Sequence, residues 1–146
     1  MPTIENPEAR AAIVARLRTL NPGSQPKWGT LTAPRLLCHL ADQLRVALGD
    51  IPSKPRGNWL THSLIKWLAI DTPMQAPPGK VRTVPEMMST LPSTWEADLH
   101  ACEELLDRLA RARTVAPHPA FGPLSRRAWS RLAWKHLDHH LRQFGA

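Results

Sequence analysis

The sequence has few cysteines and no long apolar run. Its two cysteines, Cys38 and Cys102, are too few for a disulfide framework and fit a reducing compartment. No stretch approaches the ~18 apolar residues of a membrane-spanning helix. The N-terminal residues lack the apolar region and the small-residue cleavage site of a secretory signal. We therefore expect a cytoplasmic protein without membrane attachment.

The basic residues are scattered rather than clustered. The formal net charge is +7, yet no run of five or more basic residues occurs. A positive charge permits attraction to nucleic acid, to anionic membranes or to acidic ligands, and it singles out none of them. On the last predicted helix the basic side chains lie on the outer face without aromatic residues between them. Nucleic acid is therefore the least favoured partner.

No segment alternates between apolar and polar residues with period two, and no repeat recurs at a fixed period. Helix-start signals occur instead at Asn6, Thr32 and Ser125, and Ser93 to Glu96 reads as a capping box. The four long amphipathic helices that follow span approximately residues 7–20, 33–48, 93–113 and 125–144. Residues 1–146 therefore predict a single all-α domain, a four-helix bundle.

The connection between the second and third long helices is rich in proline. Residues 51–92 contain seven prolines, which remove backbone donors and fix φ. One short extra helix is expected from about Trp59 to Ile70, begun by Asn58, and the remainder of the connection is expected to be irregular. A connection of this length is usually functional or disordered.

The last helix carries histidines at positions where core residues are expected. On a wheel of ~100° per residue, His136 and His140 fall among the apolar positions one turn apart, and His139 lies towards the flank. Burying an imidazole without a partner costs about 1–3 kcal/mol, and two charged imidazoles would repel each other. A divalent metal that accepts a lone pair from each ring removes both difficulties. Two core or interface histidines without a metal are the alternative that the spacing leaves open.

A third histidine lies on the second helix. His39 and, one turn later, Gln43 occupy the edge of its apolar stripe, which can meet the seam of a neighbouring helix. Two ligands from one helix and one from another make a three-histidine site with an open fourth position, an arrangement typical of catalytic metals. A core histidine without a ligand role is the alternative for His39.

Further residues are candidates for roles near such a site. Asp98, near the inner edge of the third long helix, and His139 are candidates for a catalytic base or proton shuttle. Asp98 and Cys102 are also candidates for an additional ligand, and Gln43 and Gln143 for orienting ligands or substrate. An ordinary packing or solvated role is the alternative for each of them.

Three stretches together resemble the DinB/YfiT-like superfamily, and more narrowly one of its uncharacterised bacterial subfamilies. They are KWGTLTAPRLLCHLADQLRVALGD, PPGKVRTVPEM and HPAFGPLSRRAWSRLAWKHLDHHLRQFG. The resemblance covers most of the chain, from about Lys27 to the end. It implies a four-helix bundle in up-down-down-up order, often assembled as a homodimer.

The resemblance also implies a metal site and a class of chemistry. The ligands of the family correspond to His39, His136 and His140, and the metal is usually zinc or nickel. Characterised relatives include thiol-dependent transferases that use glutathione, mycothiol or bacillithiol, and a maleylpyruvate isomerase. His118, in the loop HPAFG, is implied as a residue facing the site and contacting substrate, with a surface loop histidine as the alternative.

These observations support two main hypotheses. The first is a metal-dependent enzyme, of the hydrolase or thiol-dependent transferase type, that acts on a small-molecule substrate at the open metal position. The second is a non-catalytic binding or stress-response module whose metal only stabilises the bundle.

Overall fold

The computed structural model describes residues 1–80 and 82–146. Its α-helices are α1 (Pro7–Leu17), α2 (Ala33–Leu48), α3 (Lys66–Asp71), α4 (Trp95–Arg111) and α5 (Arg126–Gln143). Within the described ranges, β geometry is limited to an isolated bridge between His118 and Gly122. The expectation of an all-α protein is therefore confirmed. Among the described helices, none is both long and apolar enough to cross a bilayer.

The helix starts are capped by side chains much as the sequence predicts. Asn6, Thr32 and Ser125 each accept a hydrogen bond from a backbone N–H in the first turn of the following helix. The start of α4 differs from the predicted capping box, because Thr94 and not Ser93 is the N-cap residue. Ser93 instead donates its backbone N–H and its hydroxyl to the carboxylate of Asp98.

The long connection contains more helix than predicted. The predicted short helix is present, and a π-helical turn over Thr61–Ile65 leads directly into α3. A further 3₁₀ turn, Pro85–Met88, lies in the part that was expected to be irregular. Proline is compatible with the first position of such a turn, where no backbone donor is needed. Val81, also expected in the irregular part, lies outside the described residues.

Contacts near the helix ends establish the directions of α2 and α5. Near the C-terminal end of α2, the carbonyl of Ala47 accepts a hydrogen bond from the N–H of Ala116. The carbonyl of Ala116 in turn accepts a hydrogen bond from the indole N–H of Trp129, which lies early in α5. Just before α2, the N–H of Lys27 donates to Gln143 at the end of α5. The two helices therefore run antiparallel, and the histidines of both lie between these two end contacts along the chain.

Ion pairs relate the other long helices. Arg18 pairs with Glu103 and Arg10 pairs with Asp107, so α1 and α4 run antiparallel. Arg108, late in α4, pairs with Asp50, which follows the C-terminal end of α2. The direction of α4 is therefore the same as that of α2. Two neighbouring long helices that run in the same direction, here α2 and α4, require a long connection between them. Residues 49–94, which include the short helix α3, form that connection.

The core lies between these helices and has a polar interruption. The largest fully buried side chains are mostly leucine and isoleucine, together with Trp129. On α2, however, His39, Asp42 and Gln43 are also buried. Buried polar groups of this kind need partners, and the partners of His39 and Asp42 belong to the site described next.

Candidate metal centre

Three histidines from two helices converge on one point. The Nε2 atom of His39 on α2 lies 2.9 Å from Nε2 of His136 and 3.1 Å from Nε2 of His140, both on α5. All three ligand atoms lie within 4.8 Å of one another. Two nitrogens bound to one zinc at the tetrahedral angle lie about 3.4 Å apart. An ion therefore fits after the rings separate by a few tenths of an ångström.

The backbone determines the tautomer of His39. Its Nδ1 lies 2.8 Å from the carbonyl oxygen of Met87, in the 3₁₀ turn of the long connection. A carbonyl can only accept, so Nδ1 carries the proton and donates it. In the neutral ring, Nε2 therefore presents its lone pair to the cluster. A hydrogen bond of this kind is the usual support of a metal-binding histidine.

Gln143 determines the tautomer of His140. The side-chain Nε2 of Gln143 donates to the carbonyl of Trp28 at 2.8 Å, which orients the amide. Its Oε1 then lies 2.7 Å from Nδ1 of His140 and accepts the proton there. The Nε2 atom of His140 therefore also presents a lone pair to the cluster.

These two tautomers leave a pair of nitrogens that cannot hydrogen-bond to each other. Nε2 of His39 and Nε2 of His140 lie 3.1 Å apart, and both neutral rings are acceptors there. A proton from His136 can satisfy the lone pair of His39 but leaves that of His140. A divalent cation accepts lone pairs from all three rings at once, so the donor set fits a metal such as zinc.

Burial keeps the three imidazoles neutral. Desolvation lowers the pKa of His39, and it lowers the pKa of His140 to about 3 with a smaller contribution from His39. The pKa of His136 falls well below its usual value, first through desolvation and then through its histidine neighbours. A neutral imidazole is the form that binds metal, so the cluster is in its ligand form at neutral pH.

The third ligand, His136, differs from the others in its support. Its Nδ1 is buried, and among the described residues no hydrogen-bond partner is found for it. The same holds for Oε1 of Gln43, which lies one turn beyond His39 on α2. Because α2 and α5 are antiparallel, the step from His39 to Gln43 and the step from His140 to His136 both run towards the end of α5 that carries Trp129. When Nε2 of His136 binds metal, its Nδ1 carries the proton and is a hydrogen-bond donor, whereas Oε1 of Gln43 is an acceptor.

Asp42 supports the site from behind and was not singled out in the sequence. It is fully buried and accepts hydrogen bonds from Arg45, from the hydroxyl of Ser89 and from both the N–H and the hydroxyl of Thr90. These contacts hold Ser89 and Thr90, which directly follow the 3₁₀ turn. That turn contains Met87, whose carbonyl accepts the hydrogen bond of His39. The sequence shows only that Asp42 lies three residues after His39 and three before Arg45, and this spacing does not reveal its contact with Thr90.

Two further ligand candidates do not join the cluster, which consists of three histidines. Asp98 binds Ser93 at the start of α4. Cys102 is fully buried, and desolvation raises the pKa of its thiol to about 12. A thiol that stays protonated is a poor ligand, so Cys102 packs as a small apolar side chain.

His118 is occupied by its own loop. Its Nδ1 accepts hydrogen bonds from the N–H groups of Ala120 and Phe121, at 3.0 and 3.1 Å. Its ring stacks on Phe121, with the centroids 4.5 Å apart, and also contacts Trp129. Desolvation lowers the pKa of His118 to about 4. These contacts account for the ring as the closure of the HPAFG turn, outside the ligand cluster.

His139 flanks the cluster. Its ring meets that of His140 edge-on, with centroids 5.2 Å apart, and that of Trp28 at 5.8 Å. Desolvation and, to a smaller extent, Arg142 lower the pKa of His139. The ring is therefore adjacent to the metal ligands but outside the cluster.

The chain matches one family model. The model of DUF1569, described as a protein of unknown function, matches residues 4–146. No curated protein and no solved structure gives a significant match.

Proposed function

Because the chain belongs to the DUF1569 family, whose function is unknown, we propose a function from the site itself. The protein is a metal-dependent enzyme of the hydrolase or thiol-dependent transferase type that acts on a small-molecule substrate. One divalent ion, zinc or nickel, is bound by His39, His136 and His140. The observation that carries this proposal is the 3.1 Å approach of two Nε2 lone pairs whose Nδ1 protons are already committed.

The chemistry follows from three neutral ligands and an open fourth position. A divalent ion held only by imidazoles keeps its full positive charge and lowers the pKa of a bound water or thiol. For zinc-bound water that pKa is about 7. The site would thus supply a nucleophile at neutral pH. His39 and His140 line a cavity through which a ligand reaches the fourth position.

The residues around the three ligands are proposed to orient the imidazoles and to transfer protons. Gln143 holds His140 in its ligand tautomer. Gln43 is proposed to orient His136 through one water, because each has a buried atom without a partner among the described residues and both residues lie towards the same end of the helix pair. His139 is proposed as the proton shuttle because its ring lies against His140. Asp98 and His118 are outside this proposal, because each is committed to a local turn.

The proposed architecture is the up-down-down-up four-helix bundle of the DinB/YfiT-like superfamily. The helix directions support it: α1 is antiparallel to α4, α4 is parallel to α2, and α2 is antiparallel to α5. The insertion of α3 between α2 and α4 agrees with the short extra helix of the connection. The homodimer that the resemblance implies stays a prediction.

The binding experiment uses protein purified without a histidine tag. Elemental analysis should find about one divalent ion per chain. His136→Ala and His140→Ala should each lose the ion, because two imidazoles remain from a three-ligand site. His100→Ala is the matched control, since His100 is exposed and pairs only with Glu104. Unchanged metal content in the first two variants would refute the site.

The alternative is a non-catalytic module in which the metal only joins α2 to α5. The linkage of these two helices through the three ligands favours it as the second candidate. Under this alternative, chelation lowers the melting temperature, but thiols with electrophilic acceptors, and hydrolysable esters or amides, give no turnover. Metal-dependent turnover that His139→Gln slows without loss of metal would support the enzyme.

A further inference from the structure

The metal centre opens into a cavity large enough for a small organic molecule. Its volume is about 390 Å³, within the range of roughly 300–1,000 Å³ common for ligand sites. Its walls come from the segment before α2, from α2 itself, from the long connection and from the end of α5. The lining residues are Thr30, Leu31, Thr32, Arg35, His39, Thr83, Met88, His140 and Gln143.

The charge of this cavity is positive on one side. Among the described residues that line it, Arg35 is the only charged one, because the two histidines are neutral, and none is a carboxylate. Within the described residues, Nη1 of Arg35 has one long contact, 3.4 Å to the carbonyl of Thr90, and no carboxylate lies within 4.0 Å. Arg45, also on α2, is paired with buried Asp42. The guanidinium of Arg35 therefore keeps unused donors next to the cavity.

We propose that the cavity binds a small carboxylic acid, with its carboxylate on Arg35 and its reacting end towards His39 and His140. A planar guanidinium donates to a carboxylate through two parallel hydrogen bonds, which orient the molecule as well as bind it. In the metal-free protein, the single positive charge of Arg35 balances one carboxylate rather than a doubly charged phosphate. Leu31 and Met88 supply apolar contact for the carbon skeleton. This proposal rests on the proposed function for the reacting end, but the contact with Arg35 does not require the metal.

The test compares acids with their uncharged amides. Calorimetric titration of the zinc-loaded protein with propionate, propionamide, benzoate and benzamide should show at least tenfold tighter binding of each acid than of its amide. Arg35→Gln should weaken acid binding at least tenfold and leave amide binding unchanged. Arg35→Lys keeps the charge but loses the paired donors, so it should bind acids more weakly than the native protein. Arg111→Gln is the matched control, because Arg111 is exposed and outside the cavity.

A parallel titration of metal-free protein separates this proposal from the metal site. Acid binding that depends on Arg35 should persist there, because the guanidinium contact is independent of the ion. If the native protein holds no ion, the proposed function fails, but acid binding that depends on Arg35 would still support the present proposal. Equal binding of acids and amides, native-like binding by Arg35→Gln, no binding at all, or tighter binding of inorganic phosphate than of the acids would overturn the proposal.

Discussion

Replacing Gln143 should weaken metal binding without removing a ligand. Gln143 is buried, and its amide joins the carbonyl of Trp28 to Nδ1 of His140. Gln143→Leu leaves that Nδ1 proton without an acceptor and releases the tautomer and orientation of His140. Loss of such an outer partner typically lowers metal affinity 10- to 100-fold, or about 1.4–2.7 kcal/mol. The two unpaired buried groups should also lower the free energy of unfolding by about 1–3 kcal/mol.

The assay is competition for zinc or cobalt against a chromophoric chelator at pH 7.5. Gln143→Glu gives the sharper comparison, because it keeps an acceptor for His140 while losing the donor to Trp28. Its metal affinity should therefore lie closer to that of the native protein than that of Gln143→Leu does. Gln25→Leu is the control, since Gln25 is exposed and its side chain, within the described residues, hydrogen-bonds to the carbonyl of Gly23.

Two results would refute this reasoning. The first is a dissociation constant for Gln143→Leu within twofold of the native value, because the hydrogen bond to His140 would then have no effect on the ligand. The second is equal weakening in Gln143→Leu and Gln143→Glu, because the contact with Trp28 would then be the one that matters.

Three further perturbations test the surroundings of the site. Asp42→Ala removes a buried acceptor of four hydrogen bonds, so the free energy of unfolding in urea should fall by about 2–4 kcal/mol; an unchanged midpoint would show that the turn is held by other means. Burial lowers the pKa of folded His140 to about 3, below the unfolded value of 6.5, so the unfolded chain takes up a proton first as the pH falls. The free energy of unfolding of the metal-free protein should therefore be highest above pH 6.5 and fall by up to about 1.4 kcal/mol per pH unit between pH 6.5 and 3. Urea midpoints that stay level from pH 7.5 to 5.0 would contradict it. Gly29→Ala places a methyl group 3.1 Å from Nε2 of Gln143, at a backbone φ of +76°, and should weaken metal binding. Gly79→Ala is the control, because its φ is similar, +69°, and no described residue has an atom within 4 Å of the added methyl group. Equal metal affinity of the two variants would show that the methyl group at residue 29 does not affect the site.

The parts of the site that follow helical periodicity could be predicted from the sequence. The spacing of His136 and His140 on the apolar face of a capped helix gives their common direction, because α-helical geometry alone relates them. The edge position of His39 agrees with its place in the cluster, but the sequence identifies the meeting of the two helices only through the resemblance. The ends of the four long helices were predicted to within three residues, and the largest difference is that α1 ends at Leu17 rather than near Leu20.

The parts that depend on irregular backbone could not be predicted. The acceptor for His39 is the carbonyl of Met87, 48 residues away in a proline-rich connection, and a carbonyl has no sequence signature. Asp42 holds this connection in place, yet its role appears only when Thr90 is found beside it. The contacts of His118 with its own turn likewise have no sequence signature, and the role towards substrate that the resemblance implies for it stays a prediction.

The most direct test of the account is the X-ray absorption spectrum of the zinc-loaded protein. Three imidazole nitrogens at about 2.0–2.1 Å, together with one water oxygen, are the predicted zinc ligands. His39→Ala should lose the ion on purification as the other two histidine variants do, but at saturating zinc its imidazole count should fall from three to two, because α2 supplies one ligand and α5 supplies two. A shell of oxygen ligands alone, or an imidazole count that His39→Ala leaves unchanged, would contradict the joint metal centre of α2 and α5.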